Sequence, residues 1–295
     1  MARHPERSEG SAFPLVAILV ALVVPPTALA QGGDKELDTP YVPTPQVVVD
    51  RMLDLAQVKR GDVLIDLGSG DGRMVITAAQ KYGARGFGVD IDPRLVKLSN
   101  EAAGRAGVAD RVKFFTQDLF KTDFHEANIL TLYLLPDVNL ALRPKILSQL
   151  KPGTRVVSHD YGMQEWRPDA EETLAAPGKT VGPLPRSTVY LWVVPARVEG
   201  EWILEINAGG RARSVRLDLK QQYQFVSGSV DVPKHGAVPV SDGRLKGEEL
   251  RFTLPGGVVG SDPVELVGRV TRDSLSGTVH RGEREIASWS ARRRS

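Results

Sequence analysis

The chain has 295 residues, of which 41% are hydrophobic and 25% are charged. This length excludes a single small domain, because domains usually run to about 100–200 residues. The chain contains no cysteine, which excludes disulfides, thiolate-bound zinc, iron–sulfur clusters and cysteine nucleophiles. Its formal net charge of +2 is far from the clustered positive charge of nucleic-acid-binding proteins, so no nucleic-acid partner is expected.

Residues 1–30 are typical of a secretory signal peptide. Residues 13–24 form an apolar run that is too short to span a bilayer as a helix, which needs about 20 apolar residues. Ala28 and Ala30 fit a cleavage site before Gln31. We therefore expect an exported, periplasmic or extracytoplasmic protein with no stable membrane span after cleavage. An uncleaved membrane tether and a cytoplasmic product from a mis-assigned start codon remain as alternatives.

Beyond a linker at residues 31–43, apolar β-branched runs alternate with helical patterns, which predicts a doubly wound, Rossmann-like α/β domain over residues 44–196. The predicted strands are near-continuous apolar runs, as expected for a sheet that is covered on both faces. These strands span residues 62–67, 86–91, 112–116, 128–135, 155–159 and 187–194. Helices are predicted at residues 46–57 and 72–82, from Pro93 onward, and at residues 137–150.

Residues 197–295 change to short alternating segments separated by Gly, Pro and Asp-Gly turns, which predicts an all-β domain. Its predicted strands span residues 202–206, 214–219, 222–230, 249–254, 264–270, 274–279 and 285–291. A glycine flanked by alternating apolar residues recurs in this half and indicates a meander curled into a barrel or a sandwich. The recurring glycines are Gly228, Gly247, Gly268 and Gly277. The role of this domain stays open between a dimerisation surface, substrate recognition and the binding of an apolar ligand.

The most informative segment is the glycine-rich turn Gly68-Ser-Gly70-Asp-Gly72, which leads from the first predicted strand into a helix. Glycines at such a turn bring backbone N–H groups close to a bound polar group and remove side chains that would clash with it. Asp90, at the end of the second strand, is placed to accept hydrogen bonds from two ribose hydroxyls. The GxGxG spacing differs from the GxGxxG that accommodates a pyrophosphate, so NAD-linked oxidoreduction is disfavoured.

Two further carboxylates define the ligand. Asp66 would repel a pyrophosphate at the end of the first strand but could accept a hydrogen bond from an α-ammonium group. Asp118 follows the third strand, where an adenine amino group would approach. Together with the glycines and Asp90, they predict S-adenosylmethionine as the cofactor. No metal is expected, because the histidines show no ligand spacing such as HExxH.

At these motifs the chain resembles the seven-strand (class I) S-adenosylmethionine-dependent methyltransferases, over about residues 39–195. The segment Tyr41-Val-Pro-Thr44-Pro, residues 66–73, and Asp160-Tyr161-Gly-Met with Trp166 are similar to the small seven-strand protein-lysine methyltransferases. The export signal and the β-rich tail depart from that pattern.

This resemblance implies an enzyme that methylates an amino group on a protein substrate. It also implies that residues 41–44 form a lid over the cofactor, which makes Tyr41 and Thr44 candidate cofactor-binding residues.

Three residues are candidates for catalysis. Tyr133 lies at the end of the fourth predicted strand, where its ring could line the sulfonium, although a buried structural tyrosine is equally consistent with the pattern. Asp160 and Tyr161, after the fifth strand, could orient or deprotonate the acceptor. His159 beside them could take part in the same role, and the alternative is a histidine that is only hydrogen-bonded at a sheet edge.

A second hypothesis is a catalytically inactive, exported binding protein that uses the methyltransferase fold as a scaffold. The export signal motivates it, because S-adenosylmethionine is made in the cytoplasm.

Overall fold

A computed structural model describes residues 41–294, so the predicted signal peptide and most of the linker lie outside the described residues. Two sheets organise this part of the chain. A mixed seven-strand sheet extends to Val193, and an antiparallel sheet begins at Gly200.

The strand order of the mixed sheet is β3-β2-β1-β4-β5-β7-β6. Strands β1 to β5 pair in parallel, and β7 runs antiparallel to both β5 and β6. The predicted doubly wound α/β domain is therefore confirmed. The strands are β1 Val63–Leu67, β2 Arg85–Asp90, β3 Val112–Thr116, β4 Ile129–Leu132, β5 Arg155–His159, β6 Ala170–Ala175 and β7 Arg186–Val193.

Helices cover both faces of this sheet. One core packs α1, α2 and α3 against it, and a second core packs α4 against the opposite face. Local signals set the helix ends: Asp92 caps α3 by accepting a hydrogen bond from the Arg94 N–H, and Gly83 ends α2 with a φ of 71°. The helices are α1 Gln46–Leu55, α2 Arg73–Tyr82, α3 Pro93–Arg105 and α4 Pro136–Gln149.

Two features of the sheet differ from the sequence-based prediction. The predicted strand at residues 128–135 ends at Leu132, because Leu135 is the N-cap of α4 and the chain has already left the sheet. The edge strand β6 was not predicted, since its sequence AEETLA has no apolar run and half of its side chains are exposed.

The antiparallel sheet closes into an eight-strand barrel. Strand β8 pairs with β9 and β16, and β9 pairs with β10, so the meander returns to its start. Strands β11 and β12 pair with successive parts of β10 and share one position in the barrel; neither was predicted. The strands are β8 Gly200–Ala208, β9 Arg211–Gln222, β10 Phe225–Val232, β11 Gly236–Pro239, β12 Ser241–Lys246, β13 Glu249–Leu254, β14 Val264–Val270, β15 Ser274–Arg281 and β16 Arg284–Arg293.

Glycine is required where the indole of Trp289 crosses two barrel strands. Gly268 in β14 lies opposite Gly277 in β15. The Trp289 Nε1–H donates to the carbonyl oxygens of Val267 and Thr278, at 3.2 and 3.1 Å, which holds the ring against both strands. A Cβ atom at Gly268 would collide with the indole. Of the recurring glycines, Gly268 therefore makes room for a core tryptophan, whereas a Cβ at Gly277 would collide with the backbone of β14.

Gly268→Ala should destabilise the protein by about 1–3 kcal/mol, because the added methyl group overpacks the barrel core against Trp289. The midpoint of urea unfolding measures this effect. Gly104→Ala in α3 is the control, since a Cβ there meets nothing within 4 Å. It should raise stability by about 0.5–1 kcal/mol through helix propensity. A Gly268→Ala protein as stable as the parent would contradict the packing described above.

Candidate active site

The glycine turn between β1 and α2 is held against the end of β2. The N–H groups of Gly68 and Ser69 both donate to the Val89 carbonyl oxygen at 2.9 Å. All three glycines of the turn have left-handed φ angles, 77° at Gly68, 52° at Gly70 and 81° at Gly72. There is also no space for side chains at these positions. A Cβ would lie 2.8 Å from Leu134 at Gly68, and 2.6 Å from neighbouring side chains at Gly70 and Gly72.

The carboxylate of Asp90 is fixed beside this turn. Its Oδ2 accepts the Gly70 N–H at 2.9 Å, and its Oδ1 accepts the Asp92 N–H at 3.0 Å. Both oxygens are therefore oriented before any ligand arrives. The next residue, Ile91, is 68% exposed, an apolar side chain next to a fixed carboxylate. Ile91 was not among the predicted site residues, although the sequence carries a signal for it, an apolar residue placed between the strand-end Asp90 and the helix-capping Asp92.

Asp66 is the buried carboxyl group of the site. It lies on β1 and accepts a hydrogen bond from the Thr131 Oγ1–H of β4 at 2.6 Å. Burial raises its pKa to about 7, and the nearby charges of Asp90 and Asp71 act in the same direction. A buried carboxyl group of this kind favours a cationic partner, which would stabilise its ionised form.

The segment before α1 is tied to the glycine turn by Arg73. The Arg73 Nη1 donates to the carbonyl oxygen of Thr44 at 2.6 Å, and its Nε donates to Asp71 Oδ1 at 2.9 Å. The Tyr41 ring lies against Gly70, where it remains 47% exposed. Tyr41 and Thr44, both predicted to contact the cofactor, therefore lie at the glycine turn.

His159 links the same segment to the other half of the sheet. Its ring is buried, with Nδ1 3.3 Å from Thr44 Oγ1 and Nε2 2.7 Å from Ser187 Oγ. Burial lowers the pKa of His159 to about 4, so the imidazole is neutral at physiological pH. The histidine thus joins Thr44, β5 and β7 through hydrogen bonds to hydroxyl groups.

Two tyrosines form an aromatic pair at the carboxyl ends of β4 and β5. The ring centroids of Tyr133 and Tyr161 are 6.4 Å apart with an interplanar angle of 20°, and the His159 ring lies 3.9 Å from that of Tyr133. Burial raises the pKa of Tyr133 to about 12, which keeps its phenol neutral. The structure thus brings two of the three predicted catalytic residues together.

The third, Asp160, forms an ion pair next to this aromatic pair. Its Oδ2 lies 2.6 Å from Lys179 Nζ, and its Oδ1 accepts the Thr188 N–H at 3.0 Å. Its φ of 60° is left-handed, a conformation that Asp adopts more readily than most residues. The carboxylate therefore anchors the β6–β7 connection to the end of β5, and its part in orienting or deprotonating an acceptor stays a prediction.

Asp118 uses its carboxylate within its own turn. Oδ1 accepts the Phe120 N–H at 2.8 Å, and Oδ2 lies 3.7 Å from Lys121 Nζ. The turn adjoins the end of β2, because the Gln117 N–H donates to the Asp90 carbonyl oxygen at 3.0 Å. A contact of Asp118 with an adenine amino group stays a prediction.

Residues 41–294 contain no group of three or more His, Asp or Glu side chains arranged to hold a metal ion. Within the same range, no helix is long and apolar enough to cross a membrane.

Comparison with known proteins identifies the class to which this fold and site belong. The family described as the ANTKMT methyltransferase domain matches residues 66–170. The chain is 39% identical over 156 residues to a protein-lysine N-methyltransferase of Saccharolobus islandicus (strain REY15A), a match that covers 52% of this chain and 93% of that enzyme. It is 34% identical over 134 residues to the adenine nucleotide translocase lysine N-methyltransferase of Mus musculus, covering 45% of this chain and 58% of that protein.

A crystal structure described as an RNA methyltransferase from Salinibacter ruber in complex with S-adenosyl-L-homocysteine is 54% identical, covers 53% of this chain and 96% of its own, and superposes with a TM-score of 0.48.

The sheet order, the glycine turn and these relatives define a seven-strand S-adenosylmethionine-dependent methyltransferase. Within that class, the chain belongs to the family of the ANTKMT methyltransferase domain and carries an added β-barrel domain at its carboxyl end. S-adenosylmethionine is the cofactor, as predicted.

We expect the Asp66 carboxyl group to titrate near pH 7 in the protein without cofactor, because burial favours the neutral acid. It should hold its proton below that pH and ionise above it, and a cationic ligand should shift the midpoint to lower pH. Carbon NMR of labelled aspartate carboxyl groups measures the titration, and Asp66→Asn assigns the signal. A midpoint near 4, the value of an exposed aspartate, would contradict this environment.

Proposed function

We propose that this enzyme transfers a methyl group from S-adenosylmethionine to a lysine ε-amino group of a protein substrate. The observation that carries the proposal is the 39% identity to the Saccharolobus islandicus protein-lysine N-methyltransferase, because the match covers 93% of that enzyme. The mouse relative in the same comparison is also named as a lysine N-methyltransferase. Neither the site nor these two relatives favours the catalytically inactive scaffold.

The cofactor site combines a turn without side chains, a fixed carboxylate and a buried carboxyl group. These features fit S-adenosylmethionine, which carries an α-ammonium group and two ribose hydroxyls. We assign the ribose to Asp90, since its two oxygens are already oriented by backbone N–H groups. We assign the α-ammonium to Asp66, since a cation would stabilise the ionised form of that buried group.

The remaining cofactor contacts are assigned from the positions of the side chains around the glycine turn and the end of β2. The exposed side chain of Ile91 suits the flat apolar face of a purine, and the Asp118 turn beside the end of β2 suits its amino group. Tyr41 and Thr44 cover the glycine turn from the segment that Arg73 holds. These residues would enclose the cofactor between the turn and the segment before α1.

When bound, the cofactor supplies an electrophilic methyl group. The acceptor ammonium must lose a proton before its nitrogen can attack. The neighbouring side chains Tyr133, His159 and Asp160 are poorly suited to take that proton. Tyr133 remains a neutral phenol with a pKa of about 12, and His159, with a pKa of about 4, is a weak base. Asp160 is paired with Lys179. Water is therefore the favoured proton acceptor.

The side chains near the acceptor contribute mainly by positioning it. The faces of Tyr133 and Tyr161 attract an approaching ammonium group through cation–π interaction. Methyl transfer is an in-line displacement, so holding donor and acceptor at attack distance supplies most of the rate acceleration.

We propose export for this chain on the basis of its first 30 residues, which lie outside the described structure. A fusion of residues 1–35 to a reporter that is active only outside the cytoplasm should be active, and cleavage should fall before Gln31. A control fusion with an Asp residue in place of each of Leu15, Val16 and Ile18 should stay inactive. Equal activity of the two fusions, or none from either, would overturn export.

The full-length enzyme should label lysine side chains when it is incubated with bacterial lysate proteins and isotope-labelled S-adenosylmethionine. Asp90→Ala should weaken cofactor binding at least about tenfold and reduce labelling, because a hydrogen bond to a charged group contributes about 1.5–3 kcal/mol. Calorimetry measures the affinity, and mass spectrometry locates the label.

Asp92→Ala is the matched control for this experiment. Asp92 lies two residues away, and its side chain caps α3 and has no proposed cofactor contact. Alanine keeps the backbone N–H that donates to Asp90. The affinity and labelling of this variant should match those of the parent. Label that is lost on RNase treatment and retained after protease treatment would show that the acceptor is RNA and would refute a protein substrate.

A further inference from the structure

The connection between β5 and β6, which we call the post-β5 segment (residues 160–169), carries Asp160 and Tyr161 of the candidate active site. It contains no helix and no strand, and its internal backbone pairing is limited to a bridge between Met163 and Trp166 and one hydrogen bond from the N–H of residue 167 to the carbonyl oxygen of residue 165. A connection of this kind has few backbone hydrogen bonds of its own to offset its conformational entropy. The position of Tyr161 therefore depends on what the neighbouring elements contribute.

The barrel contributes through the turn between β9 and β10. The Tyr223 ring stacks on the indole of Trp166, with centroids 6.0 Å apart and an interplanar angle of 15°. The next residue, Gln224, is buried and donates from Nε2 to the Arg167 carbonyl oxygen at 2.6 Å. Trp166 is itself fully buried. The tip of a barrel hairpin thus covers the middle of the post-β5 segment.

Helix α4 holds the same segment from the other side. The Arg143 guanidinium lies 5.5 Å from the centroid of the Tyr223 ring. Its Nη1 also donates to the Met163 carbonyl oxygen at 2.8 Å and to Glu165 Oε2 at 2.7 Å. Arg143 therefore joins the barrel turn to the segment through one side chain.

Both ends of the segment are fixed as well. The Tyr161 carbonyl oxygen accepts the Ser158 hydroxyl at 2.7 Å and Asn139 Nδ2 at 3.2 Å. At the far end, Asp169 Oδ2 accepts the Val193 N–H at 2.8 Å, and Oδ1 lies 3.3 Å from Arg244 Nη2 of the barrel. The barrel thus contributes contacts at Trp166, Arg167 and Asp169.

We propose that the barrel forms part of the acceptor site, with Tyr223 as a positioning residue that holds the post-β5 segment so that Tyr161 faces Tyr133. This inference rests on the proposed function, since it concerns how the acceptor is held. The proposed cofactor contacts come from residues 41–44, 66–72, 90–91 and 118, which lie outside this segment. Loss of the Tyr223 ring should therefore slow methyl transfer without weakening cofactor binding.

Tyr223→Ala and Tyr223→Phe, each in the full chain, test this role. The readout is the initial rate of methyl incorporation into bacterial lysate protein at saturating cofactor. Tyr223→Ala should lower the rate about tenfold, because small displacements of positioning groups cost that much or more. Its affinity for S-adenosylhomocysteine should stay unchanged. Tyr223→Phe keeps the stacked ring and should restore the rate.

Ile286→Ala is the matched control, because Ile286 is a partly buried side chain packed on the barrel core. It should lower stability and leave the rate unchanged. An equal loss of rate in Ile286→Ala and Tyr223→Ala, or an unchanged rate in Tyr223→Ala, would overturn the proposal. Should Tyr223→Ala fail to fold, Tyr223→Leu retains the apolar bulk without the aromatic stack.

Hydrogen exchange separates this proposal from the proposed function. Backbone amides of residues 160–169 should exchange faster in Tyr223→Ala, and at the parent rate in Tyr223→Phe and Ile286→Ala. If the parent enzyme methylates no lysate protein, the proposed function fails while the exchange result still decides the positioning role. Parent-like exchange in Tyr223→Ala would refute it.

Discussion

Three carboxyl groups, those of Asp66, Asp71 and Asp90, lie close together where β1 and β2 end. The active site depends on how the negative charge of each is balanced. Asp71 pairs with Arg73, and Asp90 accepts two backbone N–H groups. Among residues 41–294, the side-chain hydrogen bond to the Asp66 carboxyl group comes from the Thr131 hydroxyl, and burial together with its acidic neighbours raises its pKa to about 7. A cation beside Asp66 would therefore stabilise the ionised form of this carboxyl group, and the α-ammonium of S-adenosylmethionine would supply that charge.

Arg73, which balances the charge of Asp71, also connects the glycine turn to the rest of the site. Because Arg73 binds Asp71 and the Thr44 carbonyl oxygen together, the ion pair that stabilises the glycine turn also brings the segment before α1 over it. Thr44 in turn contacts His159, which reaches β7 through Ser187. Short polar contacts thus join the glycine turn to the ends of β5 and β7, and the barrel contacts the post-β5 segment through Trp166.

The features predictable from sequence were those with strong local signals. Strands β3 and β5 matched their apolar runs, and the glycine turn followed from spacing alone. Strand β6 lacked that signal because it lies at an exposed edge, and β11 and β12 were missed because they divide one barrel position between two short strands. The Lys179–Asp160 pair and the Tyr223–Trp166 stack join residues far apart in the chain, and single-sequence patterns carry no information on such pairings.

A crystal structure with S-adenosylhomocysteine would show how the Asp66 and Asp90 carboxyl groups contact the cofactor. Ribose hydroxyls should lie within hydrogen-bond distance of the Asp90 carboxylate, and the α-ammonium should lie at Asp66, directly or through one water. A ligand bound with its ribose away from Asp90, or with its amino group paired elsewhere while Asp66 stays isolated, would contradict these assignments.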